Sequence, residues 1–345
     1  IDIAKNVFQV AHYKGTKELS NRAISRNKLI KLLASEKPAR VAMESCGSAS
    51  YWARLAMSYG HEVTLLSPLF VKGFRTGQKT DANDARAIAA ALGSPNARPC
   101  MVLPEELQAL QALDRIRTAF EKTKRQLANQ IRGLLLEFGI VIGQGEANFH
   151  SRIPEILEDA DEQLPDILRA GIAGSYQAYM TLGEQKEKRE AELKKYVKQN
   201  DDCRRLMTLE GVGPVTAIGL LIRLRGGDYK SGRNAAACIG LTPQQHSSGN
   251  KVRLGHIAKQ QKTDLRSNLY LGARAVASKL KTRPAKTEKE RWLKNLVERR
   301  GLKCAAIALA NKTVRTAMAI LRDGKEYHAR PLSEGNVSIV SPSAA

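Results

Sequence analysis

The 345-residue sequence predicts an α/β domain followed by two mainly helical segments,. Three observations predict this. Short apolar strands alternate with helices over the first hundred residues. From Pro104, apolar residues recur at three- and four-residue spacing for more than thirty residues without an internal proline. Beyond residue 200, two apolar helices flank a glycine-rich turn,.

In the first segment, IDIAKNVFQVAHY, a turn at Lys14-Gly15-Thr16 and KELSNRAI read as consecutive antiparallel strands,. Ser25 can cap a helix through about Ser35. ARVAMES is a buried strand, Ser48 to Tyr59 a helix and HEVTLLSP another strand,. Three meandering strands followed by helix-strand-helix-strand is the order of a ribonuclease-H-like fold, expected here over residues 1–100. That fold sets the first-strand acid beside the acid ending the fourth strand, and a later helix brings its own acids across.

Four carboxylates fall at those places. Asp2 lies between Ile1 and Ile3, Glu44 ends an apolar strand, and Asp81 and Asp84 open the helical stretch TDANDARAIAAAL. A carboxylate in an apolar strand is costly to desolvate unless a cation or donor meets it. Taken singly, Asp81 reads as an N-cap, Asp84 as a complement to the helix dipole and Glu44 as a solvated strand end. Their coincidence with one fold's acidic positions points instead to a shared cation. Mg2+ fits, because it takes oxygen ligands, and a two-ion site can hold both oxygens of a phosphodiester displacement.

Residues 101–200 are expected to be helical throughout: PEELQALQALDRIRTAFEKTKRQLANQIRGLLLEFG, then a second helix from about Gly174 to Gln199. The two suit an antiparallel coiled-coil pair that dimerises or links domains; a plain helical linker fits equally. In residues 201–327, LMTLEGVGPVTAIGLLIRL resembles a helix-hairpin-helix. Gly211 and Gly213 would leave backbone N–H groups open to a phosphate, although a simple helix–helix turn has the same pattern,. A polar loop follows with Ser247-Ser248-Gly249, then Lys251, Arg253 and Lys259, which are suited to phosphate contacts,. From its residues alone this is a flexible Ser/Gly loop, and His246 within it is as readily incidental as a proton shuttle. Residues 328–345, rich in Ser and Pro, read as a disordered tail,.

Charge favours a polyanionic partner. The chain carries 56 Lys and Arg against 34 Asp and Glu, a formal +22. Residues 201–330 hold 27 basic against 10 acidic side chains, while residues 141–200 hold 8 against 11. A merely soluble basic surface would not segregate charge this way, whereas nucleic acid binding would use it. Five scattered cysteines without paired spacing suggest a reduced, cytoplasmic setting,. No apolar run reaches the roughly 18 residues that span a bilayer, so no membrane partner is expected.

Taken in order, IDIAK, AMESCGS, KTDANDARAIA, LEGVGPVTA and GLTPQQHSSGNKVRLGHIAKQ resemble the DEDD-type insertion-sequence transposases related to the Piv DNA invertase. The resemblance spans nearly the whole chain. It implies a RuvC-like domain with Asp2, Glu44, Asp81 and Asp84 as Mg2+-binding catalytic carboxylates. It implies a C-terminal transposase domain in which Ser248, before glycine, is the nucleophile, with Ser247 the less favoured neighbour. The implied partners are donor DNA, target DNA and a structured non-coding bridge RNA that pairs with both. A homodimer assembling to a tetramer, in a bacterial cytoplasm and on the nucleoid when bound to DNA, is implied as well. The expected chemistry is strand exchange through a phosphoserine link. Two other readings of the residues stand beside it: a hydrolytic Holliday-junction-type nuclease, and a non-catalytic nucleic-acid scaffold.

Overall fold

The computed structural model describes residues 1–97, 99–159, 164–227, 229–249, 251–258 and 264–332. The chain divides into two compact units, Ile1–Leu107 with Gly226–Asp228, and Gln108–Arg225 with Tyr229–Ala345.

The first unit opens with a hairpin of β1 (Val7–Lys14) and β2 (Lys17–Ser25), turned at Gly15, whose φ of +63° favours glycine,. There follow α1 (Arg26–Ser35), β3 (Arg40–Glu44), α2 (Ala49–Ser58), β4 (Glu62–Leu66), α3 (Pro68–Lys72), α4 (Asp81–Leu92) and the short β5 (Pro99–Cys100). β3 and β4 pair in parallel, and β5 adds antiparallel to β4. The expected first strand of the meander is reduced to a bridge. Asp2 pairs with Gln9 of β1, while the Ile1 nitrogen donates to the Ala42 carbonyl of β3 at 2.8 Å. Asp2 therefore lies between β1 and β3, joining the two ladders in the order β2-β1-Asp2-β3-β4.

Strand alternation fixes which side chains meet which helices. Phe8, Val10, Ile24, Met43 and Leu65 pack with α1 and α2 around the fully buried Trp52, and Phe8 meets Trp52 edge-on at 4.7 Å. Ala42 and Leu66 face the other way, against Ile88 and Ala91 of α4. Buried His61 is structural: its Nδ1 accepts from the Ala39 N–H and its Nε2 lies 2.8 Å from the Leu33 carbonyl, tying α1 to the start of β3.

The second unit starts within α5 (Glu105–Leu136), followed by α6 (Glu146–Glu158) and α7 (Asp166–Gln199). α5 and α7 run antiparallel, bridged by Glu121–Lys186 at 2.6 Å and Arg117–Glu190 at 3.8 Å. Ile131, Leu135, Phe149, Ile153, Ile156 and Ile172 form their shared core. α7 begins at Asp166 rather than Gly174. Gly171 and Gly174 each weaken a helix by about 1 kcal/mol, but buried Ile172 and the neighbouring Leu168 and Tyr176 pack into that core and hold the extra turns.

The rest comprises α8 (Asp201–Leu206), α9 (Pro214–Arg225), α10 (Gly232–Cys238), a small hairpin of β6 (Pro243–Gln245) and β7 (Leu254–Ile257), α11 (Asp264–Lys279) and α12 (Glu288–Asp323). α12 is broken at Gly301, where φ is +77°. By length and composition α12 could span a bilayer. Half of its most apolar window is nevertheless buried inside the unit, and Ala306, Leu309, Ala310, Val314 and Ala317 recur at the spacing of a core helix,. The chain stays ordered past Tyr327. Arg330 accepts from the Glu288 N–H and the Leu332 N–H reaches the Lys286 carbonyl, so residues 328–332 of the expected tail are pinned to the start of α12. The remaining tail, 333–345, lies outside the described residues.

Candidate functional site

The acidic cluster is built by the α4 face of the first unit. Glu44 follows Ala42 by two residues and so shares its side of the sheet, the side covered by α4,. Asp2 is paired with Gln9, whose side-chain amide donates to Asn21 at 2.7 Å; Asn21 in turn donates to the Ala82 carbonyl of α4 at 3.0 Å. Helix α4 is held to β2 a second time by Arg86, which grips both oxygens of Glu18 at 2.9 Å,. Its N-cap is Thr80, whose hydroxyl accepts from the Asn83 N–H at 3.2 Å. Asp81 is thus not the cap, and Asp81 and Asp84 both lie in the first turn of α4.

These four carboxylates feel one another's charge. Partial burial pushes the Asp2 carboxyl above the usual range, and repulsion from Asp84 and then Asp81 adds to it,. Burial likewise raises Glu44, with Asp2 and Asp84 adding and Arg75 and Lys79 opposing. Burial, then Glu44 and Asp2, raise the Cys46 thiol, so it too belongs to this neighbourhood. Arg75 pairs with Asp84 at 3.3 Å. Sequence reasoning missed Arg75, Lys79 and Cys46; the cations' position in the KGFRTGQKT stretch just before the acidic helix was the available signal.

Among the described residues, no three His, Cys, Asp or Glu side chains stand as a formed metal cage. The donor set nevertheless suits a hard divalent cation: it is all carboxylate oxygen, mutually repelling and partly desolvated,. A cavity of about 810 Å³ lies elsewhere in this unit. The facing edges of β1 and β3 line it between α1 and α4, and none of the four acids contributes.

In the second unit Ser248 is at the tip of the β6–β7 hairpin, not in an irregular loop. It bridges Lys251, whose N–H reaches the Ser248 carbonyl at 3.3 Å, with Gly249 turning at φ +57°. Ser247 and Ser248 differ in their engagement. The Ser247 hydroxyl accepts from the Arg253 N–H at 3.1 Å and from the Gln245 amide at 2.9 Å, bracing the hairpin. Ser248 is exposed, as are His246, Lys251 and Arg253. Lys259 lies outside the described residues.

The glycine turn before α9 has a packing role that the sequence did not disclose. A Cβ on Gly211 would stand 2.7 Å from the Gly272 carbonyl of α11, so this turn approaches a helix backbone directly,. Around Gly213 nothing lies within 4 Å of where a Cβ would be. Crowding therefore accounts for the first glycine and leaves the second open to a ligand.

The acids sit on a parallel β pair with helices packed on both faces, and the first-unit match to a DEDD transposase profile implies a ribonuclease-H-like fold. Residues 1–140 match the profile of the DEDD transposases of IS110 type, and residues 203–289 match that of the transposase IS116/IS110/IS902 family. The chain belongs to this family of insertion-sequence transposases, enzymes of DNA transposition and recombination. It is 37% identical to the transposase for insertion sequence element IS1111A of Coxiella burnetii, over 95% of this chain and 90% of that one. It is 36% identical to a probable family 20 transposase of Pseudomonas aeruginosa, over 93% and 95% of the two chains. With the transposase for insertion sequence element IS1328 of Yersinia enterocolitica it shares 35% identity over 95% and 97%.

Proposed function

We propose that this transposase cuts and rejoins the DNA strands of a mobile element and its target, with sequence choice delegated to a structured bridge RNA. Asp2, Glu44, Asp81 and Asp84 would hold Mg2+, which supplies Lewis-acid stabilisation of the phosphodiester and a more acidic attacking hydroxyl. Ser248 is the nucleophile. Its hydroxyl gives up its proton as its oxygen bonds to the scissile phosphorus, one deoxyribose oxygen leaves and takes up a proton, and the resulting phosphoserine retains the bond energy until a second strand's hydroxyl displaces it. Ser247 stays in the hairpin brace. Lys251, Arg253 and Lys259 bind flanking phosphates, and Gly213, with Gly211 as the hinge of its turn, offers backbone N–H to another.

One observation bears most of this reading: carboxylates from three separated stretches come close enough on one face of the first unit that Asp84 and Asp81 add to the raised proton affinity of Asp2, and Asp2 and Asp84 to that of Glu44. The exposed tip position of Ser248, beside a neighbouring serine already committed to structure, supports its selection. In the active assembly, a dimer or tetramer, the acids and Ser248 act on one phosphodiester. The concentrated positive charge beyond residue 200 suits both RNA and DNA backbones,.

The test is a denaturing gel of protein incubated with bridge RNA, substrate DNA and Mg2+. A DNA-linked protein band should form with the wild type and vanish in Ser248→Ala. Cleavage that persists in Ser248→Ala would instead mean a water nucleophile and a hydrolytic nuclease. Unchanged cleavage and exchange in Asp2→Ala would remove the carboxylates from the chemistry, and binding without any cleavage by the wild type would leave only a nucleic-acid scaffold.

A further inference from the structure

The stretch between α3 and α4 reaches the acidic cluster with two cations, and its build is specific. Phe74 packs on Phe70 at 5.1 Å between ring centres, and its N–H bonds to the Val71 carbonyl at 2.9 Å, which anchors the residue before Arg75. Gly77 reverses the chain at φ +76°, and the Asn83 amide holds the Gln78 carbonyl at 2.9 Å, fixing the residue before Lys79. Arg75 extends from this frame to Asp84, and the charges of Arg75 and Lys79 both act on Glu44.

The Arg75–Asp84 pair is a single contact of 3.3 Å between side chains 27% and 21% exposed, without the two parallel hydrogen bonds of a strong guanidinium–carboxylate pair, so another anion can replace it,. A guanidinium also matches phosphate oxygens with two parallel donors better than it matches one carboxylate oxygen.

We propose that Arg75 is a substrate-positioning residue that exchanges anions: it holds Asp84 in the cation-free protein and moves to a non-bridging phosphodiester oxygen of DNA when a divalent cation takes Asp84. Lys79 supports the same phosphate as a point charge. This rests on the assignment of the four carboxylates as cation ligands. It adds that the ion pair competes with cation binding and that the released arginine has a second task.

Mg2+ titration of the full-length protein without nucleic acid, followed by calorimetry, tests the first half. Arg75→Ala should bind Mg2+ roughly 3- to 10-fold more tightly than wild type, because a competing positive charge is gone. The same variant, at saturating Mg2+, should form the DNA-linked product at least roughly 10-fold more slowly, and Arg75→Lys should recover part of the rate. Unchanged or weaker Mg2+ affinity in Arg75→Ala overturns the competition. Tighter Mg2+ binding with an undiminished saturated rate overturns the phosphate role, since a purely structural counter-ion would behave that way. Asp84→Asn is the control for the underlying assignment. If it leaves Mg2+ binding intact, the carboxylate reading itself fails; if it abolishes binding, any failure belongs to the Arg75 proposal alone.

Discussion

Replacing Asp2 by Asn should stabilise the cation-free protein and remove its response to Mg2+. Asp2 is partly buried, and its proton affinity is raised first by desolvation and then by Asp84 and Asp81. A group bound more tightly to its proton in the folded state costs stability once it must ionise. The cost is absent below the ordinary carboxyl value of 3.8 and grows as pH rises through the elevated folded value,. Removing the charge relieves this cost at neutral pH, less what solvent screening at a partly exposed group already takes from it,. For a unit of about a hundred residues, each kcal/mol of relief raises Tm by roughly 4–8 °C. In the wild type, Mg2+ at a hundred times its dissociation constant should add about 2.7 kcal/mol, and Asp2→Asn should lose most of that gain. Thermal scans with chelator and with saturating Mg2+, at pH 4 and pH 7.5, read all four conditions. The reasoning is refuted if Asp2→Asn lowers the chelated Tm at pH 7.5, or if Mg2+ raises both proteins equally.

The remaining predictions concern neighbouring links in the same chain of cause. Thr80→Ala removes the cap of the acidic helix and should cost about 1 kcal/mol in urea unfolding. It should also weaken Mg2+ binding by loosening the turn that bears Asp81 and Asp84, while Thr80→Ser keeps both. Gly272→Ala would drive a Cβ into the Gly211 carbonyl; a loss of roughly 2–3 kcal/mol, or failure to fold, is expected in urea melts. Arg283 and the Lys286 N–H hold the Glu290 carboxyl below its usual range. Its stabilisation is therefore present above the ordinary carboxyl value of 4.5 and lost as pH falls through the depressed folded value,. Glu290→Gln should flatten the acid limb of the second unit's stability profile, opposite in sign to the first unit's response at Asp2.

Much of the first unit was legible because its signals are local. Short apolar runs in ARVAMES and HEVTLLSP gave both parallel strands, and Thr-Asp before an alanine-rich run gave α4 to within a residue. The alternative reading of Asp81 as the cap does not hold, because Thr80 and Asp81 are both good caps by residue type and backbone geometry selects Thr80,. The start of α7 was placed late because two glycines look like a break, while tertiary packing of Ile172 overrides them. The Ser248 region looked like a flexible loop because its strands are short and polar; their pairing is bought by cross-strand bonds such as Arg253 to Ser247, not by apolar alternation. The convergence of Arg75 and Lys79 on the acids depends on a loop path that no periodicity encodes. The acids themselves could be proposed from sequence because strand ends and helix starts have predictable places in this fold. The roles of those acids and of Ser248 remain the central proposal.

That proposal is tested most directly by mapping the covalent link. Protein incubated with bridge RNA, DNA and Mg2+, then digested and analysed by mass spectrometry, should yield one nucleotide-bearing peptide, modified on Ser248, and none from Asp84→Asn. An adduct on any other residue, or one that persists undiminished in Asp84→Asn, would contradict the claim that the acids and this hydroxyl act on one phosphodiester.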